Sequence, residues 1–493
     1  MRAHLGRLAR GTLTYGLGRV LGRSLSVIAL PIFTRYLNPE AFGIVAMLGL
    51  IAALATPIFS LGFGTSVGLV YFEQRGADAR RACIWAAAQV LALSVAVMLA
   101  IGLWFTQEIS RLVLANGNMS GFVNLTLWST AFGILAIPFQ LYLQFEERAK
   151  QFVVITAIGA SSNVVVGCVL VVFLGRGAAG LVEATCISQL FMLCCFIASA
   201  LPYRITGGMA VAKEAVRLGL PMIPAFGFLF LLEQTSKYAL TYFHGLNATG
   251  VYGVGYGLGG ILGVATAAFG AAWTPFFLSF MDKQAEAKPI FGRVLTYYVM
   301  GGGFLSILFF VGSRSLVLVL TQAKFHEAFA VIGWVAAAQV FSGIFGVLLP
   351  PVYFAKEVRQ SAFVQGSAVL VGMGASAVLV RLDGARGAAI ALAVGYLTMA
   401  VFMHLWNRYR GDDYFQPEYE WGRVLKMALT WGLFAAVFMI PRSFPLVYEL
   451  MLAAAGAVMA AACVYWQLTL SEVSLLKETV RRFFAASDHG KGE

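Results

Sequence analysis

Apolar runs long enough to cross a bilayer recur along the whole chain, each closed by a short polar break. They fall at about 12–35, 41–70, 82–105, 119–145, 152–174, 179–200 and 217–243. They continue at about 248–280, 291–312, 328–355, 361–380, 387–406, 424–440 and 445–467. At about 1.5 Å per residue, each run covers a hydrocarbon layer about 30 Å thick. The pattern predicts an all-α integral membrane protein of about 14 transmembrane helices. No connection is long enough to hold a folded soluble domain. The longest polar pieces are 407–423 and the tail after Leu468.

Composition agrees with this class. Hydrophobic residues make up 60% and charged residues 12%, and the mean hydropathy is +0.81. In a soluble chain a net charge of +12 would suggest nucleic acid. Here the lysines and arginines gather in alternate connections by roughly three to one, which is a positive-inside signature. The reading is a multi-pass membrane protein with both termini cytoplasmic and no nucleic-acid partner. The first apolar run is too long, and too interrupted by arginine, to be a cleaved signal peptide. Cys83, Cys168, Cys186, Cys194, Cys195 and Cys463 lie in apolar runs without ligand spacing. Neither a disulfide framework nor a metal site is expected.

The chain also repeats itself. Thr34 and Ala41–Ile44 align with Thr241 and Ala248–Val251 at an offset of 207. Tyr142, Glu146, Arg148 and Phe152 align with Tyr353, Glu357, Arg359 and Phe363 at 211, and Arg176–Ala179 with Arg386–Ala389 at 210. A unit of six helices enters the membrane twice in one orientation, which predicts two parallel lobes related by an axis along the membrane normal. The organisation is a lobe over 1–200, a cytoplasmic linker over 201–216 and a second lobe over 217–406. Two further helices occupy 407–467, and a cytoplasmic amphipathic tail occupies 468–493. Within the second lobe, Gly250–Gly260 reads GVYGVGYGLGG and contains a nominal GxGxxG. A dinucleotide loop needs a preceding strand, whereas small residues let membrane helices approach closely, and the second account is preferred.

Charges inside the apolar runs are the candidate chemistry. Arg19 and Arg23 lie roughly 12 and 18 Å into the core counted from Gly11, on one helical face. A charge at that depth costs at least about 2.5 kcal/mol, so the pair should face a watery cavity, an acidic partner or an anionic ligand. Glu183 or Glu233 could neutralise them; alternatively their planar forks suit a diphosphate. Glu233 and Lys237 are spaced for a local salt bridge, and Lys237 could also reach outward to the interface. Both are carried as substrate-site candidates with Arg19 and Arg23. Glu146, Arg148, Glu357 and Arg359, at helix ends, read as gate or helix-end anchors.

The opening ARGTLTYGLGRVLGRSLSVIALPIFTRYLNPEAFGIVAML resembles the polysaccharide-biosynthesis transporters. These are the O-antigen flippase branch of the multidrug/oligosaccharidyl-lipid/polysaccharide exporter superfamily. The motif gathers around Pro31, Thr34–Leu37, Pro39 and Gly43. The resemblance implies the bacterial inner membrane as location, two six-helix bundles forming a V, a central cationic cavity and alternating access. It implies as partners a polyprenyl-diphosphate-linked oligosaccharide, moved from the cytoplasmic to the outer leaflet, membrane lipid, and polysaccharide-assembly proteins. Arg19 and Arg23 match first-helix arginines of the peptidoglycan lipid flippases. There, two extra helices border a groove for the lipid tail, a role open to the last two helices here. The alternatives are a cation-coupled multidrug exporter of the same fold and a membrane glycan-assembly enzyme or scaffold. Scattered histidines weigh against an enzyme. No cofactor is called for, and Na⁺ or H⁺ remains open as coupling ion.

Topology supplies a direct test. A reporter fused after Glu493, or inserted between Lys213 and Glu214, is expected to read cytoplasmic, and one at Asn116 external. Glu493 and Asn116 on one side would overturn the helix count.

Overall fold

The computed structural model describes residues 25–200, 208–357, 359–411, 414–440, 444–469 and 472. These are almost wholly helical. The first lobe holds α1 (Leu25–Tyr36), α2 (Pro39–Phe59), α3 (Phe63–Glu73), α4 (Ala77–Trp104), α5 (Thr106–Leu114), α6 (Ser120–Phe145), α7 (Ala149–Cys168) and α8 (Gly177–Ala200). After α9 (Met209–Gly219) come α10 (Ile223–Gly259), α11 (Leu262–Leu278), α12 (Gln284–Leu320), α13 (Phe329–Val347), α14 (Pro350–Phe354) and α15 (Arg359–Tyr409). The chain closes with α16 (Trp421–Phe438) and α17 (Leu446–Gln467).

Nine helices among the described residues are long and apolar enough to cross a membrane, or ten when the bent pair of α10 and α11 counts as one span. Two long elements are in fact folded back on themselves. The 51 residues of α15 break at Asp383 and Gly384, and Gly372 and Gly395 then meet backbone to backbone across the two legs. In α10 the break is Gly245, at φ 79°. The Thr241 and Thr249 hydroxyls are 2.7 Å apart across it, where a straight helix would hold them about 12 Å apart. Counting these legs singly, and adding α16 and α1, returns the fourteen apolar runs. Arg314 lies inside α12, against the Phe329 ring at 4.1 Å and 4.0 Å from buried Glu449.

The N-P-E-A-F-G stretch is legible as physics. The Asn38 side chain accepts from the Ala41 backbone N–H at 3.0 Å, and Pro39 starts the helix where its missing N–H costs nothing. One turn later Gly43 lies against the Leu246 carbonyl, and its repeat counterpart Gly250 lies against the Pro39 carbonyl. Equivalent glycines of the two copies thus face each other's backbone in one reciprocal contact, as a two-fold relation requires. Around it, Phe42 meets Phe325 edge-on at 5.1 Å, and Val27 and Leu30 pack with Val251 and Val254. About 28 Å further along α2, Leu61 and Gly62 take left-handed φ of 53° and 70°. There the Gly62 and Gly219 backbones touch. The lobes therefore meet at both ends of α2.

The repeat is geometric, but its register is not the one the sequence suggests at the other two blocks. At the α6 and α14 ends the same backbone hydrogen bonds recur, Arg148 N–H to Leu143 O and Glu357 N–H to Val352 O. Glu147 and Lys356 are both left-handed there. Arg148 therefore corresponds to Glu357, and the proposed equivalence of Glu146 with Glu357 is corrected. At the remaining block Gly175 and Gly177 are left-handed but Gly387 is not; the left-handed glycine of the second lobe there is Gly384. Backbone turn geometry outlasts side-chain identity at such corners.

The GVYGVGYGLGG segment is helix, so no dinucleotide loop exists there. Gly250 faces Pro39, Gly253 faces Ala46, and Gly255 and Gly259 face α13 through Val331 and Ile332. Gly257 faces open space. Gly250→Val should wedge the lobes apart, raising the distance between spin labels on Tyr36 and Tyr242 by a few ångströms, whereas Gly257→Val should leave it unchanged. An unchanged distance in the Gly250 variant would contradict the reciprocal contact.

Candidate functional site

Arg19 and Arg23 lie outside the described residues. Glu233 and Lys237 lie on the first leg of α10, inside the second lobe. They do not form the direct salt bridge their spacing suggests. The Tyr396 hydroxyl donates to Glu233 at 2.7 Å, and the Lys237 ammonium donates to Gln234 Oε1 at 2.9 Å. Lys237 also sits 4.3 Å from the centre of the Tyr256 ring, turned inward onto the hairpin and not outward to the interface. Burial decides the outcome: away from water each charge takes a nearby fixed dipole, and here those belong to α15, to the second leg of α10 and, for Gln234, to the same leg as the charges. A Ser236–Ser376 hydroxyl pair at 2.8 Å continues the network between α10 and α15.

The four helix-end candidates separate into two unequal sites. In the first lobe, Glu146 accepts from the Tyr71 hydroxyl at 2.8 Å, Arg80 stands 5.7 Å from the Tyr71 ring and Arg148 5.6 Å from the Tyr142 ring. In the second, Glu357 takes the Tyr414 hydroxyl at 2.6 Å and Arg410 at 2.8 Å. These tie α14 to the connection after α15. Arg359 is exposed and takes no part. The Tyr414 hydrogen bond first, and the Arg410 charge second, hold the Glu357 carboxyl below the usual carboxylate range.

An apolar groove of about 760 Å³ lies between α12, α13, the second leg of α15, and α16. Leu295, Phe310, Trp334, Phe341 and Trp431 line it, with Arg386 at one extremity and His404 toward the other. Those two residues are eighteen apart on one leg, so the groove runs about 27 Å along the helices, close to a full hydrocarbon thickness. Leu397, Val401 and Ile440 on its rim are 43%, 44% and 58% exposed, so it opens sideways to lipid. His404 rests 4.3 Å from the Trp421 ring. Sequence reasoning named none of these walls, because they come from four segments spread over 145 residues and each alone reads as an ordinary span. The extra helix α16 was the one signal available.

Two lobes of helices around a shared interface, with a lipid-open groove, define the class: a two-lobe, all-helical membrane protein. The sequence profile of the family described as "Polysaccharide biosynthesis protein" matches residues 8–281, and the chain belongs to that family. Its fold is similar to that of the lipid II flippase MurJ in an inward closed conformation. That match has a TM-score of 0.69 at 11% identity, covering 92% of this chain and 99% of that one. It is also similar to an inward-facing multidrug resistance MATE family transporter of the MOP superfamily, at 0.58 and 16%, covering 83% and 96%. A MATE in the straight conformation gives 0.59 and 16%, covering 82% and 95%. No curated protein sequence is similar enough to count as a relative.

The Glu357 pair carries a pH signature. Because its folded carboxyl is held below the ordinary value of 4.5, its stabilisation is complete above 4.5 and is lost as the pH falls below it. Glu357→Gln should therefore flatten the acid limb of a thermal-melting profile and leave its neutral limb nearly parallel. An unchanged acid limb would contradict the pairing.

Proposed function

We propose that the protein is a flippase that carries a polyprenyl-diphosphate-linked oligosaccharide from the cytoplasmic to the outer leaflet by alternating access. No covalent step is involved. The product serves surface or exopolysaccharide assembly. The observation that carries this reading is the groove. Its length of about 27 Å and its apolar walls suit an isoprenoid chain, and its opening to lipid lets the chain stay in the membrane while the headgroup crosses between the lobes. The family's description and a fold shared with a lipid II flippase support the same cargo class. Arg19 and Arg23 are assigned the diphosphate, because paired guanidinium groups match its oxygens bidentately. Glu233 and Lys237 are assigned to the second lobe's polar wall near that path.

Gly432 lines the groove, and a side chain added there meets nothing within 4 Å. Gly432→Trp should fill the space and lower glycan export at least about tenfold at normal membrane abundance. Arg19→Ala with Arg23→Ala should abolish export, and the lysine variants should keep part of it. Normal export in both the tryptophan and the double alanine variants would overturn the reading. So would cells lacking the protein that export glycan normally but become sensitive to cationic drugs, which is the outcome for a multidrug exporter.

A further inference from the structure

The hairpin in α15 brings the two ends of that element side by side. Residues equidistant from Gly384 face one another, and the Phe363 and Trp406 rings are 6.0 Å apart. Arg359 and Arg408 therefore stand at one level, at the open end of the hairpin. Both are exposed, and neither forms an ion pair among the described residues. Among the described residues, the Glu357 carboxylate on that corner is taken by Arg410 and Tyr414. Directly below the two arginines is a second groove of about 300 Å³, lined by Phe363, Ser367, Phe402, Trp406 and Tyr409 among others. It is separate from the larger groove, which uses α12, α13 and α16. Phe363 and Tyr409 at its mouth are 65% and 84% exposed, and the Trp406 indole N–H points to the Tyr414 hydroxyl at 3.5 Å, which leaves its ring face as groove wall.

We propose that this corner is a binding site for one anionic phospholipid, its phosphate held by Arg359 and Arg408 and one acyl chain in the Phe363–Trp406 groove. Positive charge stands over an apolar slot at this corner. Two cations at the water boundary attract an anionic headgroup. Tryptophan and tyrosine at headgroup level fit the interface between water and hydrocarbon. From Tyr409 to Phe402 the slot descends about 10 Å, enough for the upper part of a chain. A zwitterionic lipid offers the same chain but cancels its phosphate with its own cation, so the site discriminates by headgroup. This inference does not depend on the identity of the transported cargo. It gives Arg359 a lipid-facing role in place of the gate role suggested by sequence.

The test uses the full-length protein in phosphatidylcholine vesicles doped with either dibrominated phosphatidylglycerol or dibrominated phosphatidylcholine. Bromine quenches indole fluorescence on contact, and the Trp406 contribution is the difference between the native protein and Trp406→Phe. Quenching of Trp406 should occur at about 20- to 30-fold lower mole fraction of the anionic lipid, about fivefold for each arginine. Arg359→Ala with Arg408→Ala should remove that preference while leaving quenching by the zwitterionic lipid unchanged. Equal quenching by the two lipids in the native protein, or a preference that survives the double variant, would overturn the proposal. Displacement of brominated phosphatidylglycerol by an equimolar polyprenyl diphosphate, but not by unbrominated phosphatidylglycerol, would overturn it too and give the site to the carrier lipid.

Discussion

Close backbone approach between α2 and the second leg of α10 is the contact on which the two-lobe arrangement depends. At Gly43 and Gly250 a carbonyl of the opposite lobe occupies the space a side chain would need. In hydrocarbon the hydrophobic effect supplies no force between helices, so intimate packing at small residues is what joins them. Because the two glycines are equivalents within the repeat, the contact is its own mirror across the pseudo-two-fold. Such an interface is made of few side chains, and backbone contact at Gly43 and Gly250 carries it. The Gly62–Gly219 approach at the other end of α2 has the same character.

The second constraint is the burial of polar groups. Each lobe absorbs them locally: Glu233 takes a tyrosine, Lys237 an amide and a ring face, and Thr241 takes Thr249 across the α10 turn. These bonds also hold the hairpin legs together, so the groups that look most like a ligand site in sequence stiffen the second lobe. The apolar groove has the opposite economy. Its walls come from helices that do not fully close, and α16 covers one side without filling the space.

Some of this was legible along the chain. Hydropathy marked the spans, and the offset of 207 marked the pair of glycines that later meet. Register at the other two repeat blocks could not be read, because Glu146 and Glu357 share a letter and a neighbourhood, while the backbone turn equates Arg148 with Glu357. The fate of Lys237 was likewise hidden: i,i+4 spacing names Glu233 as its partner, but the ammonium bonds Gln234 on the same leg, and Gly245 folds the Tyr256 ring onto it.

By itself, then, the sequence determined the membrane class, the span positions, the duplication and the charge bias, since each follows from local composition or from periodicity along one segment. Tertiary structure alone decided the groove between α12, α13, α15 and α16, the partners of Glu233 and Lys237, and the pairing of Arg359 with Arg408 at one corner. Gly384 reverses α15 and so sets Arg359 beside Arg408, and Gly245 reverses α10 and so brings the Tyr256 ring to Lys237. A glycine in a helix reads the same whether it bends the chain, packs a neighbour or does nothing. Only the positions of the surrounding atoms distinguish those cases.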